Sequence, residues 1–467
     1  MKGHNKWSYA PYKPLLWNMG DIYVCRLAPG KDYIHLEWLD AECENYEIFC
    51  RTFREGEFVS VGQVAGGKDF YEYDIVGLEE GKDYEFFVRS GEKKSRVRIA
   101  KCAEAVGTVV NYLHPADRCY AFSGCALCSP SLVRHPDGHL LASMDVFSGN
   151  YPQNLTLIFR SDDNGKTWHY LSELMPCFWG KMFIHKGELY MLSVSTEYGD
   201  LLIGKSCDGG KTFSAPITLL RGSNGKNGFP GVHKNPQPVV SYNGRIYNTL
   251  EWGTWGLSSE KDYFHAVMVM SCDENADLLD PENWSFTPPV KYDPNWEGVA
   301  PDGDHGNIEG TLVIASDGKL YNYMRYQTNS EKKILVYSVP EDPDAPIEYS
   351  HAVAFPGNLS KFMIKKDEVS GKYFSIISRR LDDYPAPRAR NLLALVASDD
   401  LSNWELVCDL IDRTEEDPAM VGFQYVDFEI EGDDIIYLSR TSMNGAKNYH
   451  DANYSTFHRV ENFRNLF

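Results

Sequence analysis

Six times along the chain a short run of alternating apolar and polar residues reaches a tight glycine turn and returns as a second run. The turn glycines are Gly138, Gly187, Gly244, Gly318, Gly371 and Gly432, spaced 49 to 74 residues apart. The segments read SPSLVRHPDGHLLASMD, KMFIHKGELYMLSVS, QPVVSYNGRIYNTLE, GTLVIASDGKLYNYMR, MIKKDEVSGKYFSIISR and DFEIEGDDIIYLSR. Alternation with a period of two around a residue that tolerates positive φ predicts a β-hairpin each time. A lone hairpin cannot bury its apolar face. Six of them at a near-regular period predict an all-β chain whose units stack as a six-bladed β-propeller over residues 107–467.

Ahead of this repeat, residues 20–101 alternate as short strands (YVCRL, YIHLEWL, YEIFCRTF, YEYDIVGL, YEFFVRS) without the propeller pattern. Leu78, Gly81 and Tyr84 stand where a β-sandwich closes its corner, and Trp38 lies on an early strand, so this region is similar to a fibronectin type III domain. That resemblance implies a spacer or interaction surface. Residues 1–19 form an N-terminal extension, and KCAEAVGT (101–108) reads as the link.

A second repeat runs out of phase with the hairpins. Ser161-Asp-Asp-Asn-Gly-Lys-Thr-Trp168 and Ser206-Cys-Asp-Gly-Gly-Lys-Thr-Phe213 share Ser-x-Asp-x-Gly-x-Thr-aromatic, with echoes from Ser271 and Ser398. The pattern resembles the Asp box (BNR repeat) of the sialidase superfamily and falls between the third and fourth strands of its unit. The resemblance implies a structural role for Asp163 and Asp208.

Length and charge narrow the function. The 467 residues suffice for two domains, and no apolar stretch reaches the roughly 20 residues that span a bilayer. A net charge of −20 repels nucleic acid and anionic membranes, so neither is expected as a partner. The start lacks a continuous apolar core and a cleavage site, which predicts a cytoplasmic protein, or a secreted one if that start has been processed or trimmed. Eleven cysteines without framework spacing suit reduced thiols, and the single Cys125-x-x-Cys128 pair lacks companion ligands. No metal signature and no cofactor motif appear.

In a propeller unit, residues at the start of strand one and the end of strand two share a face. Strand-one starts supply Trp179 and Lys181, His233 and Lys234, His305 and Glu309, Lys361, and Gln424 and Tyr425; strand-two ends supply Asp145, Glu251, Arg325, Arg379 and Arg440. Six of these are cations in an acidic chain. Their convergence predicts a small-anion site, and Arg forks suit a carboxylate. Loops after the second strands add Arg388, Arg390 and Asn391 in the fifth unit and His450, Asp451 and Asn453 in the sixth; His450 with Asp451 is a candidate acid/base pair.

The stretch Gly306–Arg325 resembles the sialidase segment in which a catalytic Glu precedes a carboxylate-binding Arg by about sixteen residues, here Glu309 and Arg325. Arg390 or Arg379, then Tyr425 in GFQYVDF, follow in the family's order. The resemblance implies a Tyr425 nucleophile with Glu309 as its base and an acidic glycoside as substrate. A neutral phenol suits an anomeric centre that bears its own carboxylate, which would repel a carboxylate nucleophile. The chain departs from the family twice. Leu127-Cys128 stands where the family has its first-blade Arg, and Asp145 comes early for the acid/base Asp.

Three readings follow. In the first, a glycoside hydrolase uses Tyr425 and Glu309, with Asp145 as acid/base and Arg325, Arg379 or Arg390, and Arg440 on the carboxylate. In the second, a polysaccharide lyase uses the same cations to acidify the C5 proton of a uronate, and His233 or His305 or a Tyr removes it. In the third, a propeller without catalysis binds glycan or protein through the same face.

Overall fold

The computed structural model describes residues 6–8, 20–224, 228–254, 265–302 and 307–467. Among them the regular structure is β-strand with short 3₁₀ turns. From residue 126 onward the chain forms six consecutive antiparallel sheets, in the manner of a β-propeller. The first contains Ala126–Arg134, Leu140–Phe147, Leu155–Ser161 and His169–Leu174 in that order, and the second Phe178–His185, Glu188–Val194, Leu201–Ser206 and Ile217–Leu220. The third begins with a split strand, Gly231–His233 and Val240–Tyr242, both paired with Arg245–Gly253, and the fourth begins with Asn307–Ile314 beside Leu320–Tyr326. The fifth keeps only Lys365–Lys366 of its first strand.

Each predicted hairpin is present, and all six turn glycines take positive φ, from 61° at Gly432 to 95° at Gly138. The sixth sheet runs Gly422–Glu431, Asp434–Ser442, Tyr454–Val460 and then Thr108–Tyr112. Its outer strand therefore comes from the start of the repeat, ahead of the first predicted hairpin. Pairing of Tyr454 with Tyr112 and Ser455 with Asn111 ties the two ends of the repeat together. The two Ser-x-Asp-x-Gly-x-Thr turns lie between third and fourth strands. In each, the Asp (Asp163, Asp208) accepts from the backbone N–H and hydroxyl of the Thr at 2.9 and 2.6 Å, and the Ser hydroxyl accepts from the Gly N–H. The aromatic that follows is buried, at Trp168 and Phe213.

Residues 20–101 form two further sheets around one core, in which Trp38 stacks on Tyr71 at 5.6 Å and Tyr46 packs against both. The Tyr84 hydroxyl accepts the Glu79 backbone N–H at 2.9 Å, closing the corner that the sequence suggested. Val59–Ala65, too polar to stand out in the sequence, is an additional edge strand. In the N-terminal extension, Trp7 is fully buried and donates its indole N–H to the Pro176 carbonyl at 2.7 Å.

Glu37 joins the two regions. Its Oε1 accepts from Arg26 Nη1 at 2.8 Å and lies 3.0 Å from His169 Nδ1, while Oε2 accepts the Tyr170 N–H at 3.0 Å. Arg26 also donates to the Val109 and Val110 carbonyls on the closing strand. Burial alone would raise the Glu37 carboxyl. The Arg26 guanidinium and the bonds from His169 and His35 override it and bring the pKa to about 2. Because the folded pKa lies below the unfolded one, this stability is present above pH ~4.5 and is lost as pH falls towards about 2. It amounts to about 3 kcal/mol at neutral pH. Glu37→Gln is expected to lower the thermal midpoint at pH 7 and to flatten the acid limb of the stability profile. Differential scanning calorimetry from pH 7 to 3 measures both, and an unchanged acid limb would show that Glu37 does not join the regions energetically.

Candidate active site

Innermost strands of a closed ring of sheets converge on the axis, and here four of them share one distortion. A one-residue bulge falls after Cys128, Phe178, Ile308 and Gln424, and in each the bulged residue is left-handed: Ser129 (φ 50°), Trp179 (50°), Glu309 (58°) and Tyr425 (56°). Non-glycine residues in this region cost on the order of 1–3 kcal/mol each and gather at functional sites. The bulge turns Trp179, Glu309 and Tyr425 into a cavity of about 590 Å³, beside Cys128, Phe147, His233, Arg325, Arg390 and Arg440.

Glu309 and Tyr425, from the fourth and sixth sheets, meet across the axis. The Tyr425 hydroxyl donates to Glu309 Oε1 at 2.6 Å, and Arg325 Nη1 donates to Glu309 Oε2 at 2.5 Å and to the phenol oxygen at 3.1 Å. All three side chains are buried. Burial would raise the Glu309 carboxyl, but Arg325, with His233 and the Tyr425 hydroxyl, holds it below the usual carboxylate range. Burial and the Glu309 charge push the Tyr425 phenol up, against the pull of Arg325, Arg390 and Arg440. At rest the pair is therefore a phenol hydrogen-bonded to a carboxylate. Moving the phenol proton onto Glu309 yields a phenolate beside Arg325, with Arg390 and Arg440 centred 5.7 and 5.0 Å from its ring.

Second contacts fix the arginines. Arg390 donates to Gln424 Oε1 and to the Leu359 carbonyl, and Arg440 donates to the His450 carbonyl. The Nε of Arg325, Arg390 and Arg440 is left without a partner. Burial lowers Arg390 to about 10, which keeps it cationic at neutral pH. Of the described carboxylates only Glu309 and Glu197 line the cavity, against Arg325, Arg388, Arg390 and Arg440. That imbalance suits an anionic ligand.

No family model matches the chain, and no curated protein does. Among solved structures, the chain is similar to a Penicillium chrysogenum alpha-L-arabinanase complexed with arabinobiose (14% identity, 78% of this chain and 99% of that one, TM-score 0.49). It is also similar to the Hadza microbial sialidase Hz136 (14%, 95% and 96%, TM-score 0.49) and to a PL25 ulvan lyase (10%, 95% and 95%, TM-score 0.43). None is close enough to transfer a residue role.

The cavity wall contains Trp179, His233, Glu309, Arg325, Arg388, Arg390, Tyr425, Arg440 and His450 of the residues singled out from sequence. Glu251 and Gln424 support from behind. Glu251 Oε2 lies 2.5 Å from His233 Nδ1 and its Oε1 accepts the Glu309 N–H at 2.9 Å, while Gln424 joins Arg390 to the Tyr449 carbonyl. His450 Nδ1 lies 3.0 Å from Asp451, whose other oxygen accepts from Lys447 at 2.7 Å; burial and Arg440 push His450 down to about 4, so it is neutral at pH 7.

Five expectations need correction. Asp145 is fully buried beneath the wall, accepts from Thr156 Oγ1 at 2.5 Å and from the Trp179 N–H at 2.7 Å, and does not line the cavity. Arg379 points away from the axis to Asp409 at 3.0 Å, because the strand ends at Ser378 and the next residue faces the other side. Lys181, Lys234 and Lys361 are buried outside the cavity lining; on the second sheet the bulge gives the mouth to Trp179, ahead of Lys181. His305 lies outside the described residues.

Sequence reasoning missed Glu197, which accepts from Gln153 Nε2 at 2.8 Å. It sits on the loop after the second strand of the second sheet, the same class of loop that drew attention to Arg390 and His450. Tyr449, with Arg390 centred 5.5 Å from its ring, was missed beside His450.

Arg325→Met should leave Glu309 buried without its counter-charge and cost about 3–5 kcal/mol. Tyr425→Phe removes one hydrogen bond and should cost about 1–2 kcal/mol. Urea unfolding of both variants measures the difference; equal losses would mean that the ion pair does not hold the site together.

Proposed function

We propose that this chain is a six-bladed, sialidase-like propeller carrying a fibronectin type III-like domain and Asp-box turns, and that it hydrolyses glycosides of a carboxylate-bearing sugar. The single observation that carries this reading is the buried Tyr425–Glu309 hydrogen bond ringed by three arginines. Arg325, Arg390 and Arg440 bind the sugar carboxylate. Tyr425 attacks the anomeric carbon as its proton passes to Glu309, the glycosidic C–O bond breaks, and the leaving oxygen takes a proton from Glu197. Water then releases the sugar from the phenolic oxygen, with Glu197 accepting the water's proton and Glu309 returning its own to Tyr425. Asp145, committed to Thr156 and Trp179, does not take the acid role.

One observation favours a second reading. His233 forms a dyad with Glu251 and faces the same cavity, an arrangement fit to remove the C5 proton of a uronate while the arginines neutralise its carboxylate. Hydrolysis adds the mass of one water and elimination does not, leaving instead an unsaturated, ultraviolet-absorbing sugar. Mass spectrometry of products from acidic exo-glycosides and from uronate oligosaccharides separates the two. The expected result is a product heavier by one water, lost in Tyr425→Phe. An unsaturated product lost in His233→Ala would establish the lyase, and silence with both panels would leave a binding protein.

Two variants refine the hydrolase reading. Arg325→Ala should cost about 2–5 kcal/mol in kcat/KM on an acidic substrate. Glu197→Gln should slow substrates with poor leaving groups while sparing aryl glycosides whose leaving group needs no proton. Equal slowing of both would remove Glu197 from the acid role.

A further inference from the structure

Outside the cavity lining, three buried lysines lie near one another. Lys181, Lys234 and Lys361 come from the second, third and fifth units and are 3%, 0% and 1% exposed. Their contacts interlock. Lys181 Nζ donates to Asp427 Oδ2 at 2.5 Å and to the Leu132 carbonyl at 3.4 Å. Lys361 Nζ donates at 3.1 Å to the carbonyl of Val426, the residue before Asp427, and Lys234 Nζ donates to the carbonyls of Trp179 and Asn235 at 3.4 and 3.2 Å. Each ammonium acts electrostatically on the others: Lys181 and Lys361 both disfavour charge on Lys234, and Lys181 disfavours it on Lys361.

Donors outnumber acceptors here. Five contacts serve the nine N–H bonds of three ammonium groups, and two of those contacts are as long as 3.4 Å. Among the described residues only Asp427 offers a carboxylate in contact. Asp145, whose charge also acts on Lys234, spends its oxygens on Thr156 and Trp179, and Glu309 is paired with Arg325. Buried cations with spare donors and too few anions need either a lost proton or a bound counter-ion.

We propose that the protein holds, outside the cavity of the candidate active site, one monovalent inorganic anion of the halide class, bound by the ammonium groups of Lys181, Lys234 and Lys361. Such an ion takes up the spare N–H bonds and neutralises the charge excess without a covalent step. Its three lysines lie outside the cavity lining, so it is distinct from the place where a substrate carboxylate would meet the arginines.

The test uses the full chain crystallised in sodium bromide, with anomalous diffraction at the bromine edge. A peak within hydrogen-bond reach of the three Nζ atoms is expected. Water alone at that position, with no anomalous signal, overturns the proposal. Thermal unfolding in chloride against gluconate at equal ionic strength gives an independent readout: the wild type should melt higher in chloride and Lys361→Met should show no such difference. Lys361 is chosen because its loss does not strip Asp427 of its Lys181 partner. A chloride effect that survives intact in Lys361→Met would also contradict the site. If that variant does not fold, the bromide map of the wild type decides.

Discussion

Everything in this site depends on innermost strands being forced together at one axis. Strands that converge there have no room for a row of outward side chains, and four of the six relieve the crowding with a left-handed bulge. On three of these strands the bulge aims one residue, Trp179, Glu309 or Tyr425, into the mouth. Glu309 and Tyr425 are such residues on the fourth and sixth sheets, 116 positions apart in sequence yet 2.6 Å apart in space. Backbone strain of about 1–3 kcal/mol at each bulge persists because the surrounding sheets over-determine it. Closure of the ring by Thr108–Tyr112 on Tyr454–Val460 is therefore a condition for the Tyr–Glu contact, since the sixth sheet carries Tyr425.

Electrostatics then sorts the residues by depth. The chain as a whole carries −20, but among the described residues its mouth gathers four arginines around two carboxylates. The family that this sequence resembles takes one clamp arginine from the first unit, where this chain has Leu127 and Cys128. Arg440 lines the mouth from the neighbouring sixth sheet. Its guanidinium is centred 5.2 Å from the Phe147 ring of the first sheet, and Cys128 feels its charge. Arg325, Arg390 and Arg440 thus line the mouth although the first unit supplies no arginine to it.

The hairpins were legible because period-two alternation and a positive-φ glycine are local signals. Glu309, Arg325 and Tyr425 were legible through spacing and through their place at strand starts and ends. Depth was not legible. The rule that placed Lys181 and Tyr425 on one face cannot see a bulge, and it is the bulge that separates Tyr425 in the cavity from Lys181 outside it. Asp145 and Arg440 occupy matching ends of second strands, opposite Cys128 and Gln424, yet only the arginine reaches the mouth. The short aspartate is captured by Thr156 and a backbone N–H, whereas the long guanidinium stem extends past its strand. Arg379 missed by a single residue. The closing strand at residues 108–112 gave no hairpin signal because its partner lies more than 300 residues away.

In the proposed reaction Tyr425, deprotonated by Glu309 and held by the arginines, forms a bond to the anomeric carbon of an acidic sugar. Incubation with a fluorinated sugar-acid glycosyl fluoride, in which the fluorine beside the anomeric carbon slows breakdown of the intermediate, followed by peptide mass mapping, tests that bond directly. One adduct per chain is expected on the peptide containing Tyr425, absent in Glu309→Gln. Turnover of the reagent with no adduct on Tyr425, or an adduct on another residue that survives Tyr425→Phe, would contradict it.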